Sequence, residues 1–176
     1  LHLTNALKLA IARDELRLVF QPQVSLATGE LTGAEALLRW RHPQLGNIAP
    51  SEFIPLAEGS GLINQIGEWV LRRTLNQLTE WRRRGVPLLK VAINLSAAQF
   101  AQAQFAQSVA AMLADADIPG TLVEMELTEA AAMKDADAAQ VLMDELAALG
   151  LTLAIDDFGI GYSSLSHLKR FTAHKL

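Results

Sequence analysis

The sequence predicts an α/β fold in which short, mostly parallel strands alternate with helices. Two observations carry that expectation. Apolar runs of strand length recur with helical stretches between them, the pattern of strands that return through helices to pair in parallel. Four of these runs also lead into an oxygen-bearing side chain: Leu31–Ala34 before Glu35, Leu89–Ile93 before Asn94, Thr121–Met125 before Glu126, and Leu151–Ile155 before Asp156. The C-terminal ends of parallel strands are where such folds place their chemistry. Four such endings in succession point to one site assembled from separate loops.

The elements justify this order one by one. Leu3–Leu16 reads as a helix with Thr4 or Asn5 as its cap. Arg17–Val24 alternates and reads as a strand; after the turn Ala27–Glu30, Leu31–Leu38 reads as its hairpin partner. Arg41–Pro50 is a polar loop, and Ser51–Ala57 a short helix ended by Glu58-Gly59-Ser60-Gly61. Ile63–Arg84 is the longest helical stretch: Ile66, Trp69, Val70, Leu75 and Leu78 form its apolar face, and Arg82, Arg83 and Arg84 lie in its last turn before Gly85. Leu88–Asn94 is a strand, Phe100–Ala116 an alanine-rich helix, Thr121–Leu127 a strand, Asp135–Leu149 a helix, Leu151–Ile155 a strand, and Tyr162–Arg170 the start of a further helix. A complete (β/α)₈ barrel takes about 250 residues. With about five strands, the chain is expected to be such a barrel cut short after its fifth strand and the following helix, at Leu176.

Composition bounds the function. The chain has 176 residues, 51% hydrophobic and 19% charged, which suits one globular domain with its own core. No apolar run reaches the roughly 18 residues of a membrane span, and the N-terminus lacks the basic and apolar regions of a signal peptide. The absence of cysteine excludes disulfides, thiolate zinc sites and a cysteine nucleophile, and fits a reducing, cytoplasmic setting. A net charge of −4 argues against a DNA or RNA polymer as partner. It leaves room for a small anion where cations supply local positive charge. The first residue is not Met, so a longer parent protein is expected.

Glu35, Asn94, Glu126 and Asp156 offer only hard oxygen donors, which suit Mg²⁺, Mn²⁺ or Ca²⁺. Asp157 adds a second carboxylate beside Asp156. Several carboxylates gathered together need cations to offset their repulsion, and a metal pair holding one water is a device for phosphoester hydrolysis. Any one of these residues alone reads equally as a solvated loop group; the joint pattern carries the inference. Glu124 lies on the same strand face as Glu126, so alternation does not choose between them. Arg39 either forks onto a phosphate or makes a surface salt bridge, Gln21 either reaches a polar ligand or only neighbours an edge proline, and Glu129 either serves the site or caps the next segment. Asp157-Phe158-Gly159 matches the metal-binding triplet of kinases, but the chain has no glycine-rich phosphate loop, strand lysine in a VAIK setting or HRD sequence, which rules that reading out.

At Glu35-Ala36-Leu37 a resemblance enters. AEALLRWRHP (Ala34–Pro43), PSEFIPLAEGSGLI (Pro50–Ile63), VAINLSAAQF (Val91–Phe100), VEMELTE (Val123–Glu129) and AIDDFGIGYSSLSHLKR (Ala154–Arg170) together resemble the EAL-domain family of bacterial cyclic di-GMP phosphodiesterases. Five blocks in the family's order make the match specific, and it implies one EAL domain over residues 1–176. The resemblance implies a TIM-like barrel whose first strand is antiparallel to the rest, with Mg²⁺- or Mn²⁺-dependent hydrolysis of cyclic di-GMP to linear pGpG on two ions, and Ca²⁺ as a possible inhibitor. By position, Glu35, Asn94, Glu126 and Asp156 match the family's metal ligands, and this match selects Glu126 over Glu124. Asp157 matches the aspartate tied to the second ion and to water activation. Gln21, Leu38 and Arg39 match residues at the dinucleotide, and Glu129 matches the anchor of the loop from Asp157 to Ser164.

The resemblance further implies a homodimer of the intact domain and fusion to sensor or cyclase domains, in a parent protein that is cytoplasmic or membrane-anchored. The family's Lys-Ile-Asp triplet, a later glutamate and a glutamine would lie beyond Leu176. A 176-residue piece without them is expected to be weakly active by itself. The rival expectation is a receptor module that binds cyclic di-GMP without cleaving it; that class usually loses metal ligands, and the four visible ones are present.

Overall fold

The computed structural model describes residues 2–156. Asp157, the loop Phe158–Ser164 and the expected helix Tyr162–Arg170 lie outside the described residues. The elements run α1 (His2–Ala10), β1 (Leu16–Val24), β2 (Leu31–His42), β3 (Gly46–Ile48), α2 (Pro50–Ser60), α3 (Leu62–Arg83), β4 (Lys90–Leu95), α4 (Ala97–Phe100), α5 (Phe105–Ala116), β5 (Val123–Thr128), α6 (Glu129–Met133), α7 (Ala136–Ala148) and β6 (Thr152–Asp156). Strand order is β1-β2-β4-β5-β6, with the short β3 paired to β2. β1 is antiparallel to β2, and the pairs β2–β4, β4–β5 and β5–β6 are parallel. This is the TIM-like α/β arrangement with a reversed first strand; among the described residues the sheet is open, with β1 and β6 at its edges.

Alternation sorts each strand into two faces. Ala36 on β2, Val91, Ile93 and Leu95 on β4, Val123, Met125 and Leu127 on β5, and Leu153 and Ile155 on β6 are buried. They pack with Ile66, Leu71, Leu75 and Leu78 of α3, Val109 and Leu113 of α5, and Leu142, Met143 and Leu146 of α7 in one core. The opposite face is polar: Gln21 and Gln23 on β1, Glu35 on β2, Lys90 and Asn94 on β4, Glu124 and Glu126 on β5, and Thr152 and Asp156 on β6.

Four helices end in the same closure, in which a left-handed residue turns the chain and the next N–H reaches back to the last turn. The left-handed residue is Asp14 after α1, Gly85 after α3, Asp117 after α5 and Gly150 after α7. The closing bonds are Glu15 N–H to Ala10 O, Val86 N–H to Trp81 O, Ile118 N–H to Leu113 O, and Leu151 N–H to Leu146 O. This explains why the first helix stops at Ala10 rather than Leu16: Asp14 is one of the few side chains that tolerate the left-handed conformation. The helix expected over Phe100–Ala116 begins only at Phe105, and a separate short helix, α4, capped by Ser96 and Gln99, precedes it and ends at Phe100. The loop expected over Arg41–Pro50 contains β3, which pairs Trp40 with Ile48. The triple arginine does lie at an exposed helix end: Arg82 donates to the Asp117 carbonyl at 2.7 Å, and Arg83, bonded to Glu80, holds that carboxyl below its ordinary value. Among the described residues, no helix is long and apolar enough to cross a membrane.

One buried polar contact fixes the upper half of β2. Trp40 is 1% exposed, its ring meets Phe53 edge-on at 5.6 Å, and its indole Nε1–H donates to Glu15 Oε2 at 3.0 Å. The Arg41 N–H donates to the Glu15 carbonyl, so one residue holds the strand by side chain and backbone. Trp40→Phe keeps an aromatic ring but removes the donor from a buried carboxylate. It is expected to lower stability by about 1–3 kcal/mol, measured by urea denaturation; Phe53→Ala is expected to cost about 3–5 kcal/mol through the cavity it leaves.

Candidate active site

The polar face gathers its oxygens through strand register. Glu35 stands opposite Gln21 of β1 and beside Ala92 of β4, so Asn94 lies two residues further along β4. Asn94 is paired directly with Glu126, Glu126 with Ala154, and Asp156 lies two residues beyond. These steps are the stagger that tilted barrel strands impose. Side chains at one height in a barrel are therefore not all register partners. The clearest sign is the bond from Asn94 Nδ2 to Glu35 Oε1 at 2.8 Å, which crosses the β2–β4 gap diagonally.

This corrects one expectation. Glu35 does not end its strand; β2 continues seven residues past it, to His42. Barrel tilt, not strand termination, brings it level with Asn94. Asn94, Glu126 and Asp156 do lie in the last residues of their strands. Glu126 is half-buried, while Asn94 and Asp156 are exposed.

Glu124 has a different environment from Glu126. It is 1% exposed, and its Oε2 lies 3.9 Å from Lys90 Nζ. Lys90 also donates to Thr152 Oγ1 at 2.6 Å. The lower layer of the polar face thus carries its own cation. Sequence reading missed this lysine, although its period-2 spacing from Asn94 placed it on the polar face.

A cavity of about 300 Å³ opens between the middle of β2 and the end of β4. Leu38, Arg39, Glu58, Asn94, Ser96 and Glu126 line it together with apolar side chains of α2 and α3, among them Ile54, Ile63 and Ile66. A mostly apolar pocket with a few placed polar groups is the usual form of a small-molecule site. Arg39 is half-buried and spends one donor on the Leu38 carbonyl, Nη1 to O 2.9 Å; its guanidinium has five N–H donors in all. Gln21 stands on the inner face opposite Glu35 and does not line this cavity. Glu129 is 6% exposed and begins α6, whose cap is Thr128, with Oγ1 accepting from Ala131 N–H. Glu129 is therefore not itself the cap.

The donor set suits a hard divalent cation. The Asn94–Glu35 bond uses the amide nitrogen, so the amide oxygen and the second carboxylate oxygen are the acceptor atoms of that pair. Among the described residues, no three acidic, histidine or cysteine side chains form a ready metal cluster. Asn94 is bonded to Glu35 through its amide and is the register partner of Glu126, and a count of acidic groups alone passes it over.

A family model described as EAL domain matches residues 4–176. The chain belongs to the EAL-domain family. It is 47% identical over 176 residues to the bifunctional diguanylate cyclase/cyclic di-GMP phosphodiesterase MucR of Pseudomonas aeruginosa, covering 100% of this chain and 26% of that protein. It is 41% identical over 170 residues to the cyclic di-GMP phosphodiesterase NbdA of the same species, covering 97% of this chain and 22% of that protein. The solved PaMucR phosphodiesterase in complex with c-di-GMP matches with a TM-score of 0.93 at 47% identity, covering 98% of this chain and 70% of that one. The chain spans about a quarter of the length of the curated relatives it matches. The antiparallel β1–β2 pair is the feature that the EAL resemblance implies for the first strand.

The Lys90–Glu124 pair has a measurable consequence. Lys90 is half-buried and Glu124 fully buried, so Lys90→Met is expected to cost about 1–3 kcal/mol, and the double variant Lys90→Met/Glu124→Gln to recover part of that loss. Thermal or urea unfolding of the two variants checks this.

Proposed function

We propose that this EAL domain is a metal-dependent phosphodiesterase that cleaves one phosphodiester of cyclic di-GMP to give linear pGpG. The observation that carries the reading is the Asn94–Glu35 bond at 2.8 Å, which joins two of the oxygen donors at the edge of the cavity that Arg39 and Leu38 also line. The named activity of the relatives MucR and NbdA supports it, as does the likeness to a structure containing c-di-GMP.

In this reading Glu35, Asn94, Glu126 and Asp156 hold Mg²⁺ or Mn²⁺, and Asp157 serves a second ion. Bound there, the ions supply charge neutralisation and a water of lowered pKa. The chain's own groups do the rest. Arg39 forks onto a phosphate oxygen and orients the scissile group. Leu38 and the apolar wall of the cavity pack against a base, and Gln21 donates to a polar group of the dinucleotide. Asp156 and Asp157 accept the proton of the attacking water. Glu129 anchors the loop that begins at Asp157. Ca²⁺ occupies the same oxygens without supporting turnover. The domain acts in the cytoplasm as a homodimer, within a larger protein that also carries sensor or cyclase domains.

The test is hydrolysis of cyclic di-GMP by the complete protein. Activity is expected with Mg²⁺ or Mn²⁺, to vanish on chelation and to return when Mn²⁺ is restored. Glu35→Gln is expected to lower kcat by at least about 100-fold, or about 2.7 kcal/mol of barrier. Arg39→Ala is expected to raise KM as well. Tight binding of cyclic di-GMP with no linear product under any divalent ion would refute the enzyme and leave a receptor.

A further inference from the structure

We propose that Gln99 is a positioning residue for the cation-holding end of β4: its amide, seated on Gly67 of α3, holds Ser96 and thereby aims Asn94. This rests on the reading of Asn94 as a ligand. Gln99 is 6% exposed, one of few buried polar side chains among the described residues. Its Oε1 accepts from Ser96 N–H at 3.3 Å and from Ser96 Oγ at 3.0 Å, while Ser96 Oγ accepts from Gln99 N–H at 3.2 Å. This reciprocal capping box closes two residues after Asn94. Ser96 and Gln99 also line the cavity with Asn94.

The seat for this amide exists only because residue 67 lacks a side chain. A Cβ at Gly67 would overlap the Nε2, Cδ and Oε1 of Gln99. Gly67 lies inside a long helix, at a place where no positive φ is required. Glycine there weakens the helix relative to alanine, so its use is explained by the close approach of Gln99. The obstacle a new Cβ meets is the end of a flexible side chain. Gly67→Ala therefore acts mainly by evicting the amide and opening the capping box. The consequence falls on Asn94, whose bond to Glu35 needs the end of β4 held in place.

The experiment measures Mn²⁺ binding to the complete protein by paramagnetic resonance titration, with melting temperature and cyclic di-GMP turnover recorded in parallel. Outer-shell residues usually cost 10–100-fold in metal affinity when lost, so Gln99→Ala and Gly67→Ala are each expected to weaken Mn²⁺ binding about tenfold. Gln99→Glu keeps the capping acceptor and is expected to bind Mn²⁺ as the native protein does. The double variant Gly67→Ala/Gln99→Ala is expected to be no weaker than Gln99→Ala alone, because the alanine at 67 then meets no amide. Asn94→Ala is the reference and is expected to weaken binding more than either single variant. If Asn94→Ala weakens binding while Gln99→Ala and Gly67→Ala do not, the positioning role is overturned and the ligand reading stands. Additive losses in the double variant, or a Gln99→Glu as weak as Gln99→Ala, overturn it too. Unaltered binding in Asn94→Ala overturns the ligand reading and this proposal with it.

Discussion

The register of the parallel ladder through β2, β4, β5 and β6 is the constraint on which everything else depends. A slip of one residue in any of these strands would carry its whole polar set to the helix-covered side and its apolar set to the inner face. Asn94 would then face the core, and Ile93 would take its place beside Glu35. The polar pairs Asn94–Glu35 and Lys90–Glu124 are partly open to solvent and hold the register less firmly than apolar burial does. The apolar side holds the register. Val91, Ile93 and Leu95 sit between Ala36 and the run Val123, Met125 and Leu127, under α3 and α5. Burial of apolar area at about 25 cal/mol per Å² makes the exposure of even one of these side chains costly. The chemistry of one face is thus specified by packing on the other.

The polar face is itself divided. Its lower layer is neutralised internally, because Lys90 stands beside the buried Glu124 and bonds Thr152. Its upper layer carries Glu35, bonded to the amide of Asn94, with Glu126 the register partner of Asn94 and Asp156 at the end of the next strand. Burial decreases upward, from Glu124 to the half-buried Glu126 to the exposed Asp156. Carboxylates that are to hold an ion need access for that ion, and a carboxylate that is to stay buried needs a counter-charge in place. The same residue type, two positions apart on one strand, meets each requirement in turn. β2 supplies the rest: its upper half, locked by the Trp40–Glu15 bond, sets Leu38 and Arg39 at the edge of the cavity.

Much of this was legible in the sequence, for identifiable reasons. Strands such as Thr121–Leu127 and Leu151–Ile155 announce themselves as short β-rich runs preceded by Gly120 and Gly150, and Arg17–Val24 alternates. The oxygen donors stand out because a Glu, Asn or Asp at the end of an apolar run breaks the pattern. What stayed hidden depends on three-dimensional relations. Glu35 reads as a strand end because the polar break is visible and the barrel tilt is not. Glu124 and Glu126 are indistinguishable by alternation; the resemblance selects Glu126, and the physical difference, burial of Glu124 beside Lys90 from a strand thirty-four residues earlier, is a three-dimensional one. The short helix α4 is masked by the alanine-rich run that follows it, although Ser96 and Gln99 carry the spacing of a capping box. Gly67 gives no local signal at all, since its reason lies in a side chain from another element.

The most direct measurement of the central claim is anomalous diffraction from crystals of the complete protein grown with Mn²⁺. The account predicts a manganese peak bound by oxygens of Glu35, Asn94, Glu126 and Asp156 together, each at about 2.1 Å. A peak elsewhere, or one bound by Glu124 in place of Glu126, would contradict it.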